Sequence, residues 1–150
     1  RLVEEMGTAP GIMERVAPKS LGRVISERTS RLITAMLVNV VENGHGKRAG
    51  VPGYYVGGKT GTAQIPNPKG GYLKDATIGS FVGYAPANDP RFVMLVKIDR
   101  PTTVQFAESS AAPIFGELAK DLVQLMNIPP ERAVRIPSPS TPSSTSAVIP

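Results

Sequence analysis

The chain has 150 residues, 41% of them hydrophobic and 19% charged, which suits one domain of ordinary size with a packed core. Lys and Arg exceed Asp and Glu by 17 to 12, but the basic residues are scattered, so no nucleic-acid partner is expected. The absence of cysteine excludes disulfides and thiol chemistry. No apolar run reaches the roughly 18 residues that span a bilayer. Because the first residue is Arg, we expect any targeting segment or membrane anchor to lie in sequence outside this chain.

The sequence pattern indicates secondary structure only weakly before residue 25 and clearly after it. Residues 1–18 show little periodicity and predict at most a short strand. Ser26 is expected to cap a helix that runs to about Glu42, with Asn43-Gly44 as its stop. The apolar residues at the spacing of one helical stripe are Leu32, Ile33, Met36, Leu37, Val40 and Val41.

Three strands are predicted in the middle of the chain. They are expected at Tyr54–Ile65, Thr77–Ala85 and Arg91–Asp99. Glycine-rich and proline-rich turns over residues 67–74 and 85–90 favour antiparallel hairpins between them. The third strand is a near-continuous apolar run, as expected of a strand covered on both faces.

A last helix is predicted from about Ala112-Pro113 to about Asn127, because proline suits a first helical turn. Its expected apolar face consists of Ile114, Phe115, Leu118, Leu122, Val123 and Met126. From Pro129 to Pro150, 13 of the 22 residues are Pro, Ser or Thr, which predicts a disordered tail. The expected fold class is therefore α+β, an antiparallel sheet with flanking helices over residues 1–128.

One glycine-rich stretch matches two incompatible motifs. From Gly53 the letters satisfy G-x-x-x-x-G-K-[ST], the phosphate-binding loop of nucleotide hydrolases. From Lys59 they give Lys-Thr-Gly-Thr, the third motif of serine enzymes that bind β-lactams. A phosphate loop needs a helix directly after its Lys-Thr, but residues 61–68 hold two prolines, a glycine and an asparagine. We therefore expect a strand here and no nucleotide site.

The flanks of this motif extend the pattern over most of the chain. In chain order, the segments that match are residues 40–47, 56–64, 80–86, 89–93, 111–115 and 127–130. Together they resemble the C-terminal part of the transpeptidase domain of class B penicillin-binding proteins, over roughly residues 1–130. The resemblance implies the C-terminal portion of a penicillin-binding, β-lactamase-like transpeptidase fold.

The resemblance also implies an activity: a serine is acylated by a peptide ending in D-Ala-D-Ala, and the acyl group passes to an amine, which cross-links peptidoglycan. Thr60 and Thr62 share one strand face, so both hydroxyls can donate to a substrate carboxylate. Lys59 adds a positive charge, and Gly61 allows close approach of a neighbouring element. By resemblance, the Thr62 N–H forms half of the oxyanion hole. The expected catalytic residues are Lys59 and Thr62, and the expected substrate-binding residues are Thr60, Gly61 and Thr62.

The nucleophile implied by this resemblance is not in the chain. The family's Ser-x-x-Lys and Ser-x-Asn motifs precede the third motif, and neither occurs at any of the seven lysines or five asparagines here. We expect these motifs upstream of Arg1 and expect the chain alone to be inactive. Two alternatives remain open: a D,D-carboxypeptidase or β-lactamase with the same site, and a non-catalytic β-lactam sensor or cell-wall scaffold.

Other chemistry-bearing residues receive no role. His45, the sole histidine, lies between two glycines in a predicted loop, so we interpret it as a bystander. No metal or other cofactor is expected, because the carboxylates lack ligand spacing: Asp75, Asp89, Asp99 and Glu108. The partners implied by the resemblance are the peptidoglycan stem peptide, β-lactams and, through a region outside this chain, cell-wall synthesis or division proteins. The implied location is the extracytoplasmic face of a bacterial membrane.

Overall fold

A computed structural model describes residues 5–9, 12–15, 17, 19, 22–104 and 106–133 of the chain. The chain divides into two compact units, Arg1–Arg31 and Leu32–Pro150. Within the described ranges, no helix combines the length and the apolar character needed to cross a membrane.

The first unit contains a hairpin and the beginning of a helix. Strands β1 (Glu5–Ala9) and β2 (Ile12–Arg15) pair antiparallel, where the sequence predicted at most one short strand. Helix α1 (Glu27–Asn43) begins directly after Ser26. The Thr29 N–H donates to the Ser26 Oγ at 3.1 Å, which confirms the predicted cap.

The second unit is built on an antiparallel sheet. Its strands are β3 (Gly57–Pro66), β4 (Tyr72–Ala85) and β5 (Phe92–Asp99), in the order β3-β4-β5, so β3 lies at an edge. The β3–β4 turn uses Gly70 and Gly71 at positive φ angles of 98° and 71°, as a hairpin connection requires. Strand β4 begins at Tyr72 rather than at the predicted Thr77, because Tyr72 still pairs with Pro66 at the end of β3.

The core lies between this sheet and helix α2 (Ala111–Leu125). The fully buried rings of Phe81 and Phe115 meet there with centroids 4.7 Å apart and an interplanar angle of 57°. A Cβ at Gly83 would lie 2.8 Å from the Phe115 ring, so the sheet needs glycine where the ring covers it. The predicted α+β class, an antiparallel sheet with flanking helices, is confirmed.

The buried face of α2 differs from the prediction. Ile114 and Leu118 are 43% and 44% exposed, although the apolar stripe placed them inside. A Cβ at Gly116 would lie 2.7 Å from the Arg48 carbonyl oxygen in the short 3-10 helix Lys47–Ala49, so this contact requires glycine at residue 116. The buried residues of α2 are Ala111, Ala112, Phe115, Gly116, Ala119 and Val123.

Strand β5 is not covered on both faces by the described residues, so that prediction is wrong. Val93 and Leu95 are 73% and 64% exposed. Side chains alternate along a strand, and α2 covers only the face that carries the intervening residues. The stripe of α1 is exposed in the same way: Met36 is 66% exposed, and Val41 is the buried residue of the helix.

The chain after α2 packs back onto the second unit. Glu131 accepts a hydrogen bond from the Tyr55 N–H at 2.8 Å, and Arg132 donates two to Glu42, each at 2.9 Å. The predicted boundary at residue 128 therefore falls inside a packed segment. The prediction of a disordered tail over residues 134–150 lies outside the described residues.

Candidate functional site

The Lys-Thr-Gly-Thr motif lies in the middle of edge strand β3. The strand continues from Gly57 to Pro66, so no helix follows Lys59-Thr60 and the phosphate-loop interpretation lacks its structural element. Among the described residues, no strand pairs with the outer side of β3, so the backbone donors and acceptors on that side are open to a ligand. The motif therefore lies on backbone that is suited to binding an extended ligand.

The glycine before the motif serves packing. A Cβ at Gly58 would lie 2.5 Å from the Phe81 ring and 2.9 Å from the Val82 carbonyl oxygen. The Phe81 ring is fully buried, so it has little room to move. Gly58 is therefore needed by the core rather than by a phosphate.

The register of β3 on β4 separates the four motif residues into two faces. Thr60 pairs with Phe81 and therefore lies, with Thr62, on the face that carries the core. Lys59 and Gly61 lie on the opposite face. The Lys59 ammonium nevertheless folds back, with its Nζ 2.9 Å from the Thr60 carbonyl oxygen and 3.2 Å from the Thr60 Oγ1. The positive charge and the Thr60 hydroxyl are thus brought together.

Gly61 meets β4 closely. A Cβ at this position would lie 2.8 Å from the Ser80 Oγ. The Ser80 hydroxyl donates to the Gly61 carbonyl oxygen at 3.3 Å. A side chain at residue 61 would displace that contact, and with it the strand between the two threonines.

A cavity of about 330 Å³ opens beside the two threonines. The Thr62 Oγ1 accepts a hydrogen bond from the Ala107 N–H at 3.3 Å. Because this oxygen accepts from the backbone, the hydroxyl proton of Thr62 is available to donate to a ligand. The residues that line the cavity are His45, Thr60, Thr62, Phe106, Ala107 and Glu108.

His45, interpreted from sequence as a bystander, lies at this cavity. Its Nδ1 is 2.5 Å from the Glu108 Oε2, with the two side chains 83% and 42% exposed. The sequence assigned Glu108 no role either. These residues are 63 positions apart, so no local spacing could have predicted the pair. In the described part of the chain, no three His, Asp or Glu side chains lie close enough together to hold a metal ion.

Comparison with known proteins identifies the family. The family model "Penicillin binding protein transpeptidase domain" matches residues 3–120. Stage V sporulation protein D of Bacillus subtilis is 43% identical over 121 residues, which cover 80% of this chain and 19% of that protein. The chain thus spans about a fifth of the length of this relative.

Solved structures agree with this match. The transpeptidase domain of Burkholderia pseudomallei penicillin-binding protein 3 has a TM-score of 0.68 and 39% identity, over 75% of this chain and 34% of that one. Mycobacterium tuberculosis penicillin-binding protein 3, solved with ampicillin, has a TM-score of 0.68 and 33% identity, over 93% of this chain and 32% of that one. The family match and the shared fold therefore define a transpeptidase-domain protein. The chain belongs to the penicillin-binding protein transpeptidase family, in the C-terminal part of a class B domain, as predicted.

Proposed function

We propose that this chain supplies the carboxylate-binding wall of a peptidoglycan D,D-transpeptidase that works through a serine acyl-enzyme. The observation that carries the proposal is the juxtaposition of the Thr60 and Thr62 hydroxyls on one face of an edge strand, with the Lys59 ammonium at Thr60. The cavity in front of these hydroxyls provides room for a ligand. The ampicillin complex of the mycobacterial relative supports β-lactams as ligands of this site.

The donor peptide ends in a free carboxylate, and hydrogen bonds to an ionised acceptor are stronger than neutral ones. Thr60 and Thr62 donate to that carboxylate, while the Lys59 ammonium attracts it and assists proton transfer at the serine. We assign the Thr62 N–H to the oxyanion hole, where it stabilises the tetrahedral intermediate. The serine oxygen, from a Ser-x-x-Lys motif outside this chain, attacks the carbonyl carbon and expels D-Ala. The acceptor amine then displaces the serine.

The same proposal implies a cellular location and protein partners. Peptidoglycan lies outside the bacterial cytoplasmic membrane, so the protein acts on the extracytoplasmic face. Regions outside this chain contact cell-wall synthesis or division proteins. Accessibility of the protein to a protease added to intact spheroplasts tests this location.

The proposed role of the two hydroxyls predicts the effect of removing them. In the full-length protein that carries this chain, Thr60→Val and Thr62→Val each remove a hydroxyl while keeping the shape of the side chain. We expect each to lower the second-order rate constant of acylation by a fluorescent penicillin by about 10- to 100-fold, the value of one charge-assisted hydrogen bond.

The serine variants are the matched controls. Thr60→Ser and Thr62→Ser keep the donor, so their rate constants should remain within a fewfold of wild type. Valine variants that are labelled as fast as wild type would contradict the proposed carboxylate site.

A further inference from the structure

The segment of residues 106–110, between β5 and α2, lies beside the cavity, and two adjacent residues of it, Ala107 and Glu108, make contacts with other parts of the chain. Ala107 donates its N–H to the Thr62 Oγ1 at 3.3 Å. Glu108, the next residue, pairs with the His45 Nδ1 at 2.5 Å. His45 lies in the loop after α1, so the pair joins two loops that approach the motif from different parts of the chain.

We propose that His45 and Glu108 are positioning residues, which fix the Ala107 amide and through it the Thr62 hydroxyl for carboxylate binding. This inference rests on the proposed function of Thr62. Neither side chain is assigned contact with the reacting atoms. The pair instead determines which way the Thr62 hydroxyl donates.

The Thr62 hydroxyl needs an external constraint on its direction. A threonine hydroxyl rotates, and its proton follows the best available acceptor. A donor fixed at the Thr62 Oγ1 occupies one lone pair of that oxygen and leaves the proton to point elsewhere. Displacement of the Ala107 amide would remove this preference, and the carboxylate would have to orient the hydroxyl itself.

The position of Ala107 depends in turn on what holds its segment. Its backbone lies against the sheet where β4 has no side chain: a Cβ at Gly79 would be 3.2 Å from the Ala107 Cα. The remaining hydrogen bonds of the segment lie within the segment or join it to α2, such as Ser110 Oγ to the Phe106 carbonyl oxygen at 3.1 Å. Among the bonds described for the segment, the His45–Glu108 pair therefore joins it to the loop after α1.

Because the His45–Glu108 pair is exposed, its role in positioning can be tested apart from any role in the stability of the fold. Both side chains are substantially exposed, and exposed polar pairs contribute little to folding. Removal of the pair should therefore leave the fold intact and shift the 106–110 segment locally. A positioning role and a merely structural role thus predict different results.

The test measures acylation of the full-length protein by benzylpenicillin and by its methyl ester, which lacks the free carboxylate. We expect His45→Ala and Glu108→Gln to lower the rate constant for the acid by about two- to fivefold, the range that an exposed pair can contribute, through weaker binding rather than slower chemistry. The ester should react with these variants as it does with wild type. His45→Asn keeps a donor near the Nδ1 position and should restore most of the loss.

The controls change comparable groups elsewhere. Glu117→Gln removes an exposed carboxylate on α2, and Lys47→Ala alters a residue of a second cavity, which His45 and Glu108 also line but Thr60 and Thr62 do not. Both should acylate as wild type. Circular dichroism melts should show that all variants are folded.

Three results would overturn the inference. Unchanged acylation of His45→Ala and Glu108→Gln would show that the pair does not act on Thr62. Equal losses with acid and ester would show a general structural role. A wild-type protein that benzylpenicillin does not acylate would overturn the proposed function itself, and the inference with it.

Discussion

Gly58 shows how one residue of a motif can serve the core while its neighbours serve the site. The position carries no side chain because the buried Phe81 ring occupies the space, and a methyl group there would lie 2.5 Å from the ring. Gly58 is also the second glycine of the G-x-x-x-x-G-K-[ST] pattern that starts at Gly53. Packing, not ligand chemistry, therefore explains the resemblance to a nucleotide-binding motif.

This packing predicts the effect of a single methyl group. Gly58→Ala should destabilise the chain by about 1–3 kcal/mol, because the Phe81 ring must leave its place in a close-packed core. Urea unfolding of the purified chain measures the change. Gln64→Ala, at an exposed position of the same strand, should stay within about 0.5 kcal/mol of wild type. Equal stability of Gly58→Ala and wild type would contradict this role of the glycine in packing.

The site residues were predictable to different degrees. Alternation along a strand sufficed to place Thr60 and Thr62 on one face, because that rule is local. It did not show that the Lys59 ammonium folds back to Thr60. The His45–Glu108 pair depends on two distant loops meeting, which no spacing in the sequence encodes.

At the scale of elements, the segment after α2 is hydrogen-bonded to helix α1 through Arg132 and Glu42. The Arg132 guanidinium makes two hydrogen bonds to the Glu42 carboxylate and lies 4.5 Å from the centre of the Tyr55 ring. These hydrogen bonds hold the pKa of Glu42 below its usual value, against a smaller opposing effect of burial.

The lowered pKa gives a pH dependence with a defined sign. The folded carboxyl binds its proton less tightly than the unfolded one, so the pair stabilises the fold fully above the unfolded value of 4.5. The contribution is lost as the pH falls below that value through the folded pKa. Arg132→Met should therefore cost about 1–2 kcal/mol of unfolding free energy near pH 7 and less at about pH 3.

The control for this prediction is an exposed pair. Arg31 lies 3.7 Å from Glu27, with side chains 75% and 68% exposed, so Arg31→Met should change stability by less than about 0.5 kcal/mol. Urea unfolding of Arg132→Met, Arg31→Met and wild type near pH 7 and at about pH 3 gives the change in unfolding free energy of each variant at each pH. A cost of Arg132→Met that does not vary with pH would contradict the assignment to Glu42.

The main helices and strands were predictable because caps and turns are local signals, as the Ser26 cap and the Gly70-Gly71 turn show, but the start of β4 at Tyr72 was not. Buried faces were not. Ile114 and Leu118 are exposed because the face of α2 that packs on the core is the one with Phe115 and Ala119, and that contact is tertiary. Periodicity gives the side chains that could be buried, and packing partners decide which ones are.

At the scale of the whole molecule, the chain corresponds to about a third of the solved transpeptidase chains it resembles. Its residues carry the third motif without Ser-x-x-Lys or Ser-x-Asn. The exposed Val93 and Leu95 belong to a sheet face that the described residues leave uncovered. The chain therefore contains the strand that we propose binds the carboxylate, but no Ser-x-x-Lys motif.

This composition predicts that the chain by itself forms no covalent adduct. The purified chain should show no serine-linked label after incubation with a fluorescent penicillin and denaturing electrophoresis, because no serine here has a lysine three residues later. The full-length protein is the positive control. A label that is located on a serine of this chain by peptide mapping would contradict the prediction.

The packed segment after α2 has a practical consequence for anyone who expresses this domain. A boundary drawn at residue 128, where the composition turns rich in proline and serine, would remove both Glu131 and Arg132. The truncated protein would then expose the Tyr55 ring and leave the Glu42 carboxylate without its guanidinium. An expression boundary after Ala133 keeps both residues, and with them a charge pair that the composition does not reveal.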